Sequence, residues 1–291
     1  MKRLDIGIAS YGASEKLARA VASIREMSSG DFRLFVIDNP GPDPATRRMI
    51  AELAVADDRI VPVFLERNVG YAGAVNEFLR LALTEPGWSH LAYCDNDVVI
   101  RTPGWDPMLC AHLDRHPQIG MIFPNGGAYP IPRADFIEVM WGIGFCWVAS
   151  RKALTEVGPF DAELGHQEEA DYCLRLRMAG YVCAAAPEVQ VQHEARSTND
   201  PASRERINAG VVRFVDKWNR YFCGGTQGYH SPNVLRWEDW PPNALYLEDY
   251  WRRHPKTQGL NDAPEEIAID GMAYDLIRVP RFRHYYRGRV I

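Results

Sequence analysis

Short apolar segments alternate with segments of helical periodicity through residues 4–100. Four segments have the composition of buried strands: residues 4–10, 32–39, 59–66 and 90–100. Three segments between them have apolar side chains at helical spacing: residues 15–27, 44–54 and 69–83. Ser14 is the predicted N-cap of the first helix. This alternation predicts an α/β fold with a mainly parallel central sheet and helices on both faces.

The later part of the chain has the same two patterns in a looser order. Helices are predicted over residues 103–117, 151–158, 168–181 and 208–221. Strands are predicted over residues 119–125, 140–150 and 182–194. We expect the helix over 168–181 to be amphipathic and to end at Gly180, with Arg175 paired to an acid.

Polar residues follow three of the first four predicted strands. They are Ser10-Tyr11, Asp38-Asn39 and Asp95-Asn96-Asp97. Any one of these groups is explained by a solvated loop. Ligands of parallel sheets bind outside the carboxyl ends of the strands, so the three groups together favour one convergent site.

Asp95 and Asp97 are candidate metal ligands. Two carboxylates one residue apart at a tight strand exit can approach one cation, and Mg²⁺ and Mn²⁺ prefer such oxygen ligands. A diphosphate could complete the coordination shell. A solvated acidic turn is the alternative when the motif is considered alone.

Residues 67–79 contain a glycine-punctuated turn that leads into a helix. Gly70 and Gly73 permit close backbone approach, and Asn68 and Asn76 supply amide groups on either side. The N-terminus of a helix favours anionic groups. The spacing matches neither a dinucleotide-binding fingerprint nor a Walker loop, and a helix start packed on the sheet would also explain it.

Glu168, Glu169 and Asp171 crowd the start of one predicted helix. Favourable interaction with the helix dipole would explain one acid, but three within four residues exceed what capping requires. One of these carboxylates could accept a proton from an attacking hydroxyl group. His193 ends an apolar alternating segment and is either a metal ligand or a structural histidine.

These motifs, taken in order, resemble the family 2 glycosyltransferases with the GT-A fold, including bacterial rhamnosyltransferase-like members. The resemblance runs from about Leu4 to Tyr221. It rests on VIDN, RNVGYAGAVNEFL, YCDND, GFCWVASRKALTEVGPFDAEL, EEADYCLRLRMAGY and QHE.

The resemblance implies a nucleoside-diphosphate sugar donor, a divalent metal (Mn²⁺ or Mg²⁺) and a hydroxyl acceptor on a saccharide, a lipid-linked sugar or another molecule. It also implies a role in polysaccharide biosynthesis. Asp95, Asp97 and His193 would form the metal site. The residues on the nucleotide side would be Ala9, Tyr11, Asp38, Asn68, Gly70, Gly73, Asn76, Asp95 and Asn96.

Two positions depart from the family pattern. Glu169 stands where the family usually has the aspartate that acts as base, so the base could be Glu169, Glu168 or Asp171. The first strand ends in ASYGA rather than PxYN, which leaves the nucleotide base open. A sugar nucleotidyltransferase and a non-catalytic nucleotide-sugar-binding module are the alternative functions.

Charge and cysteine content restrict the partners and the compartment. The formal charge of -5 argues against a nucleic-acid partner. The six cysteines include no CxxC pair, so free thiols in a reducing cytoplasm are expected. The N-terminus does not read as a signal peptide, and no segment reaches the length of a membrane span. We therefore expect a cytoplasmic protein, with peripheral contact at the inner membrane face as an option.

We predict a domain boundary near residue 223. Residues 1–222 would form the GT-A catalytic domain. Residues 223–291 are rich in aromatic residues and arginine, and we expect them to contact the acceptor or to mediate formation of a homo-oligomer.

Overall fold

A computed structural model describes residues 3–84, 88–124, 126–128, 130–194, 201–223, 267–269 and 272–274. The helices are α1 (Ser14–Met27), α2 (Ala45–Ala56), α3 (Gly70–Thr84), α4 (Trp105–Arg115), α5 (Arg151–Val157), α6 (Glu168–Met178) and α7 (Pro201–Cys223). The strands in the first part of the chain are β1 (Leu4–Ser10), β2 (Phe32–Asp38), β3 (Ile60–Phe64), β4 (His90–Asp95), β5 (Val98–Ile100) and β6 (Ile119–Pro124). The later strands are β7 (Gly127–Ala128), β8 (Ile131–Pro132), β9 (Ile137–Val139), β10 (Trp141–Gly142), β11 (Cys146–Ser150), β12 (Val182–Ala186), β13 (Val191–His193), β14 (Ile267–Ile269) and β15 (Met272–Tyr274).

One sheet of nine strands forms the centre of the fold, in the order β3-β2-β1-β4-β11-β6-β12-β9-β8. Strands β11 and β9 run antiparallel to their neighbours, and the other strands share one direction. The mainly parallel α/β sheet predicted from the sequence is confirmed.

Helices cover both faces of this sheet, and each face has its own apolar core. The first core contains apolar side chains of α1, α2 and α4. The second contains apolar side chains of α3, α5 and α6. Strand β2 shows how one strand contributes to both cores. Leu34 and Val36 lie in the first core, and Phe35 and Ile37 lie in the second. Side chains on a strand alternate between faces, so an unbroken apolar segment is buried on both sides.

Three segments predicted as single strands are each divided. Residues 90–100 form β4 in the central sheet and β5, which pairs with β13. Residues 140–150 form β10 and β11, which lie in different sheets. Residues 182–194 form β12 in the central sheet and β13 outside it. In each case polar, proline or glycine residues interrupt the apolar pattern, and the chain turns there.

The prediction that Ser14 is the N-cap of α1 was wrong. Ala13 occupies that position in the left-handed conformation, with φ 57°, and makes no side-chain cap. Ser14 is the first helical residue, and its backbone N–H donates to Asp43 Oδ2 at 2.9 Å. The helix start is therefore capped from a distant loop, which a local pattern does not reveal.

Helix α6 is buried almost throughout, so the amphipathic character predicted for it was wrong. Its two arginines and Asp171 are paired with opposite charges inside the protein. Arg175 Nε donates to Asp171 Oδ2 at 2.9 Å, which confirms the predicted acid partner of Arg175. Arg177 Nη1 donates to Glu138 Oε1 of β9 at 3.0 Å. Buried charges are tolerated when they are paired and hydrogen-bonded, as they are here.

Helix α7 contributes a buried cation to the same network. Lys217 Nζ lies 2.8 Å from Asp161 Oδ2 and 2.7 Å from Asp171 Oδ1. Trp218 Nε1 also donates to Asp171 Oδ1 at 3.1 Å. Helix α7 is thus joined to α6 by buried ionic contacts. It ends at Cys223, one residue after the domain boundary predicted between residues 222 and 223.

Cys94, Cys110, Cys146, Cys173 and Cys183 are free thiols. Within the described ranges, none of the helices has the length and apolar character that crossing a bilayer requires. Most of the predicted C-terminal extension, residues 223–291, lies outside the described residues, so its predicted roles stay predictions. The structure gives its β14–β15 pair as an antiparallel hairpin.

Replacing Lys217 with Met should destabilise the protein, because Asp161 and Asp171 would keep buried charge without this cation. Breaking a buried pair by removing one partner costs about 3–5 kcal/mol. Urea unfolding followed by circular dichroism would measure the loss. Lys152→Met is the matched control, since Lys152 is 78% exposed and forms an i,i+4 pair with Glu156. Equal midpoints for the two variants would contradict the role that we assign to Lys217.

Candidate functional site

The register of the parallel strands brings the predicted polar strand ends to one edge of the sheet. Ala9 of β1 lies opposite Asp95 of β4, and Ser10 lies opposite Asp38 of β2. The backbone N–H of Asn39 donates to the Ser10 carbonyl at 3.1 Å. The carboxyl ends of the three strands are therefore adjacent, as expected from the sequence.

Asp95, Asp97 and His193 form a group that could hold a metal ion. Each offers one ligand atom, and these atoms lie within 4.8 Å of one another. His193 Nε2 is 3.1 Å from Asp97 Oδ1 and 4.0 Å from Asp95 Oδ2. Two carboxylates and an imidazole suit a divalent cation such as Mn²⁺.

Strand pairing brings together the residues of this group, which are distant in the sequence. A turn between β4 and β5 separates Asp95 from Asp97. Strand β13 pairs with β5 in antiparallel register, which sets His193 opposite Val98. The His193 ring stacks on Phe145, with ring centroids 4.7 Å apart, and this contact fixes the plane of the imidazole.

The electrostatics of the group indicate a deficit of positive charge. Burial and the charge of Asp97 raise the pKa of Asp95 to about 8, although 28% of its side chain remains exposed. Burial lowers the pKa of His193, but the hydrogen bond and charge of Asp97 outweigh this effect and raise it. Burial is the largest cause of the Asp95 shift, and negative charge from neighbouring acids adds to it and raises the pKa of His193; a bound cation would offset that charge.

Glu169 is held beside this group by close contact with the backbone. A Cβ atom on Gly144 would lie 1.9 Å from Glu169 Oε1, so only glycine allows the approach. The Tyr71 hydroxyl donates to the Gly144 carbonyl at 3.1 Å and is close enough to Glu169 to lower the pKa of that carboxyl, against the larger effect of burial. Burial raises the pKa of Glu169, and its negative charge contributes to the raised pKa of Asp95.

The other two candidate bases have different surroundings. Asp171 is fully buried and accepts hydrogen bonds from Arg175 and Trp218, besides its ion pair with Lys217. Glu168 is nearly buried, and burial followed by the charge of Glu169 raises its pKa to about 8. Of the three, Glu169 is the acid whose carboxylate contacts Gly144 and Tyr71.

The turn before α3 is built largely from its own polar groups. Asn68 Oδ1 accepts from the Gly70 N–H at 2.8 Å, and Gly70 has φ 74°, which favours glycine. Gly73 sits against Val69, where a Cβ atom would lie 2.8 Å from the Val69 Cβ. Asn76 lies further into the helix and exchanges two hydrogen bonds with the Phe160 backbone.

The remaining nucleotide-side candidates lie at the ends of β1, β2 and β4. Asp38 is buried, which raises its pKa, while Arg47 Nε at 3.4 Å from Oδ2 opposes that rise. Asn96 Nδ2 donates to the Gly12 carbonyl at 3.3 Å. Tyr11 is 55% exposed and presents its ring to solvent.

Two residues of this region were not among the predicted site residues: Tyr71 and Phe145. The backbone N–H of Asp95 donates to the Phe145 carbonyl at 2.8 Å. Asn39 was predicted as one of the polar residues at the strand ends, and its Oδ1 accepts from the Val69 N–H at 2.9 Å and so ties the end of β2 to the turn before α3. The roles of Tyr71 and Phe145 depend on contacts between distant segments, which a local pattern does not reveal.

Comparison with known families gives one clear match. Residues 5–158 match the family model described as Glycosyl transferase family 2. No curated protein sequence matches the chain.

Solved structures similar to this one include three transferases. The crystal structure of GalNAc-T7 with UDP, GalNAc and Mn²⁺ has a TM-score of 0.67 at 13% identity, over 92% of this chain and 59% of that one. The mannosyltransferase PcManGT from Pyrobaculum calidifontis, in complex with GDP-Man and Mn²⁺, has a TM-score of 0.60 at 15% identity, over 89% and 72%. TarS from S. aureus has a TM-score of 0.52 at 14% identity, over 87% and 49%.

These likenesses confirm the predicted GT-A fold, and at such identities they show the fold alone. The chain spans less than two thirds of the length of GalNAc-T7, at 59%. The rhamnosyltransferase-like subgroup stays a prediction.

The affinity of the site for Mn²⁺ should rise with pH and level off above about 8, the pKa of Asp95 in the metal-free protein. Below that pH a cation must displace the proton of Asp95, so affinity should fall by up to about tenfold per pH unit, and more steeply where His193 is also protonated. Titration calorimetry in buffers of different ionisation enthalpy would measure both affinity and proton release. Asp97→Ala should abolish binding, and pH-independent affinity in the wild type would contradict the assignment.

Proposed function

The chain belongs to glycosyl transferase family 2, and from that premise we propose that it moves a sugar from a nucleoside-diphosphate sugar to a hydroxyl group, with inversion at the anomeric carbon. The observation that carries this proposal is the contact of Glu169 with Gly144, because the next residue, Phe145, stacks on His193 of the metal group and accepts a hydrogen bond from the Asp95 N–H. That edge of the sheet supplies a place for the diphosphate and a base for the acceptor.

We assign the nucleotide to the ends of β1 and β2 and to the turn before α3. Asp38 would accept hydrogen bonds from the base, and Tyr11 would contact its face. Ala9 has a small side chain opposite Asp95, which leaves room beside the ribose. Asn68, Gly70, Gly73, Asn76 and Asn96 shape this side of the cleft, most of them through the hydrogen bonds described above.

Asp95, Asp97 and His193 would hold the cation, and Mn²⁺ or Mg²⁺ fits their oxygen and nitrogen donors. When bound, the cation offsets negative charge that develops on the departing nucleoside diphosphate. The geometry supports this assignment, because one ligand atom from each of the three residues lies within 4.8 Å of the others. Burial and, second, the charge of Asp97 raise the pKa of Asp95, and a cation would stabilise its ionised form.

Glu169 is our candidate for the base that accepts the proton of the attacking hydroxyl. Its raised pKa increases its affinity for a proton, and its contacts with Gly144 and Tyr71 fix its direction. The buried ionic contacts of Asp171 engage its carboxylate elsewhere. Glu168 is 5% exposed, whereas Glu169 is only half-buried and so is more accessible to an acceptor hydroxyl.

The alternative functions receive less support. A sugar nucleotidyltransferase would need cationic groups for a triphosphate, and the segment from Ala9 to Lys16 carries one, the lysine at its end. A non-catalytic binding module would not require a carboxylate at Glu169. The donor sugar, acceptor, role in polysaccharide biosynthesis, cytoplasmic location and membrane contact remain predictions. The GDP-Man bound to PcManGT and the UDP bound to GalNAc-T7 direct the first trials to GDP- and UDP-sugars.

UDP or GDP should raise the melting temperature of the protein when Mn²⁺ is present. A ligand at about 100 times its Kd stabilises the native state by about 2.7 kcal/mol. A thermal-shift screen of nucleoside diphosphates and nucleotide sugars, with and without Mn²⁺, would identify the preferred base. The Asp97→Ala variant should lose the Mn²⁺-dependent shift. If no nucleotide shifts the wild type under any condition, the proposed donor class is wrong.

Glu169→Gln should lower donor turnover by roughly 10²–10⁴-fold, because a general base contributes about that much. Nucleotide affinity should stay near the wild-type value. The assay is release of nucleoside diphosphate from the donor selected by the screen, with water or an added alcohol as the nucleophile. Glu168→Gln should retain more activity than Glu169→Gln, and Glu52→Gln, on the surface of α2, is the neutral control. A larger loss in Glu168→Gln would transfer the base assignment to Glu168.

A further inference from the structure

Lys16 places a positive charge beside the metal site. It lies in the first turn of α1, and its Nζ is 3.9 Å from Asp97 Oδ2 and 4.0 Å from Glu194 Oε2. The Lys16 side chain is 25% exposed and that of Asp97 is 13% exposed, so a ligand at the edge of the sheet can reach both. Lys16 therefore lies where anionic groups of a ligand would come close to a cation held by Asp97.

The partners of Lys16 are held in place independently of it. Arg19, one turn further along α1, donates to Glu194 Oε2 at 2.8 Å. The Glu194 N–H donates to the Asp97 carbonyl at 2.9 Å. Glu194 already has a closer cation in Arg19, so Lys16 is the more weakly held of the two basic residues.

A cation bound to Asp97 would change the balance of charge around Lys16. It would neutralise the carboxylate that Lys16 faces and repel the ammonium group at short range. The flexible four-carbon stem of lysine lets the ammonium turn to a new anionic partner. A phosphate oxygen of a donor held by the same cation would be such a partner.

We propose that Lys16 is a diphosphate-binding residue, whose ammonium group rests against Asp97 and Glu194 in the free protein and turns to a phosphate group when metal and donor bind. This inference rests on the proposed function and extends it to a residue of α1. Lys16 then has opposite effects on the two ligands, since it competes with the cation alone and assists the nucleoside diphosphate.

The test measures the two affinities separately in Lys16→Met by titration calorimetry. With MnCl₂ alone, the variant should bind about three- to tenfold more tightly than the wild type, because a competing charge near 4 Å is removed from a partly screened site. With saturating Mn²⁺, its affinity for UDP or GDP should fall roughly tenfold, because a charge-assisted hydrogen bond is lost.

Two further variants keep the test specific. Lys16→Arg retains the charge and should bind the nucleoside diphosphate within a few-fold of the wild type. Lys152→Met removes an exposed lysine from α5 and should change neither affinity. Circular dichroism of each variant checks that the fold is retained.

The outcomes separate this inference from the proposed function. If the wild type binds UDP or GDP and Lys16→Met binds it equally well, Lys16 does not contact the diphosphate and the inference is overturned. A fall in both Mn²⁺ and nucleotide affinity would also overturn it, because that result describes a structural ion pair. If the wild type binds neither nucleotide, the proposed function itself fails.

Discussion

Strand β4 has a parallel neighbour on one edge and an antiparallel neighbour on the other, and the candidate site depends on both edges. Pairing with β1 aligns Ala9 with Asp95, which brings the nucleotide side and the metal side together. Pairing with β11 continues into the Asp95–Phe145 hydrogen bond and fixes the loop that contains Gly144. Because Gly144 in turn contacts Glu169, one strand aligns the groups proposed to bind the diphosphate with the group proposed to receive the proton.

Beneath this edge, aromatic rings and buried charges hold the helices at fixed positions. Tyr93 of β4 stacks on Trp147 of β11 with ring centroids 5.7 Å apart, and Phe160 stacks on Tyr172 of α6 at 4.0 Å. Aromatic pairs add to the stability that burial of their area provides. The ionic contacts of Asp171 join α6 to α7 on the same side of the molecule. Helix α6 therefore cannot shift without disturbing both sets of contacts, and Glu169 lies in its first turn.

The sequence predicted the elements that rest on local periodicity. The strand β1, the helix α3 and the acidic pair of Asp95 and Asp97 were all visible, because apolar spacing and adjacent carboxylates are properties of a short segment. The complete metal group could not be predicted from one short segment, because His193 comes close to Asp97 through the pairing of β13 with β5. Gly142 and Gly144 indicated where residues 140–150 divide. These positions need glycine because distant side chains pack against them, which the sequence does not show. The burial of α6 depends on Lys217, which no pattern within α6 could reveal.

The buried contacts of Lys217 have a consequence for the order in which the protein matures. During synthesis β1 to β4 leave the ribosome well before α7, so the ion pairs of Asp161 and Asp171 with Lys217 form only after residue 217 has emerged, although Arg175 can pair with Asp171 earlier. The strands on the nucleotide side can therefore pair before the contacts between α6 and α7 are complete. The metal group is also completed late, because His193 follows β1 to β4 along the chain.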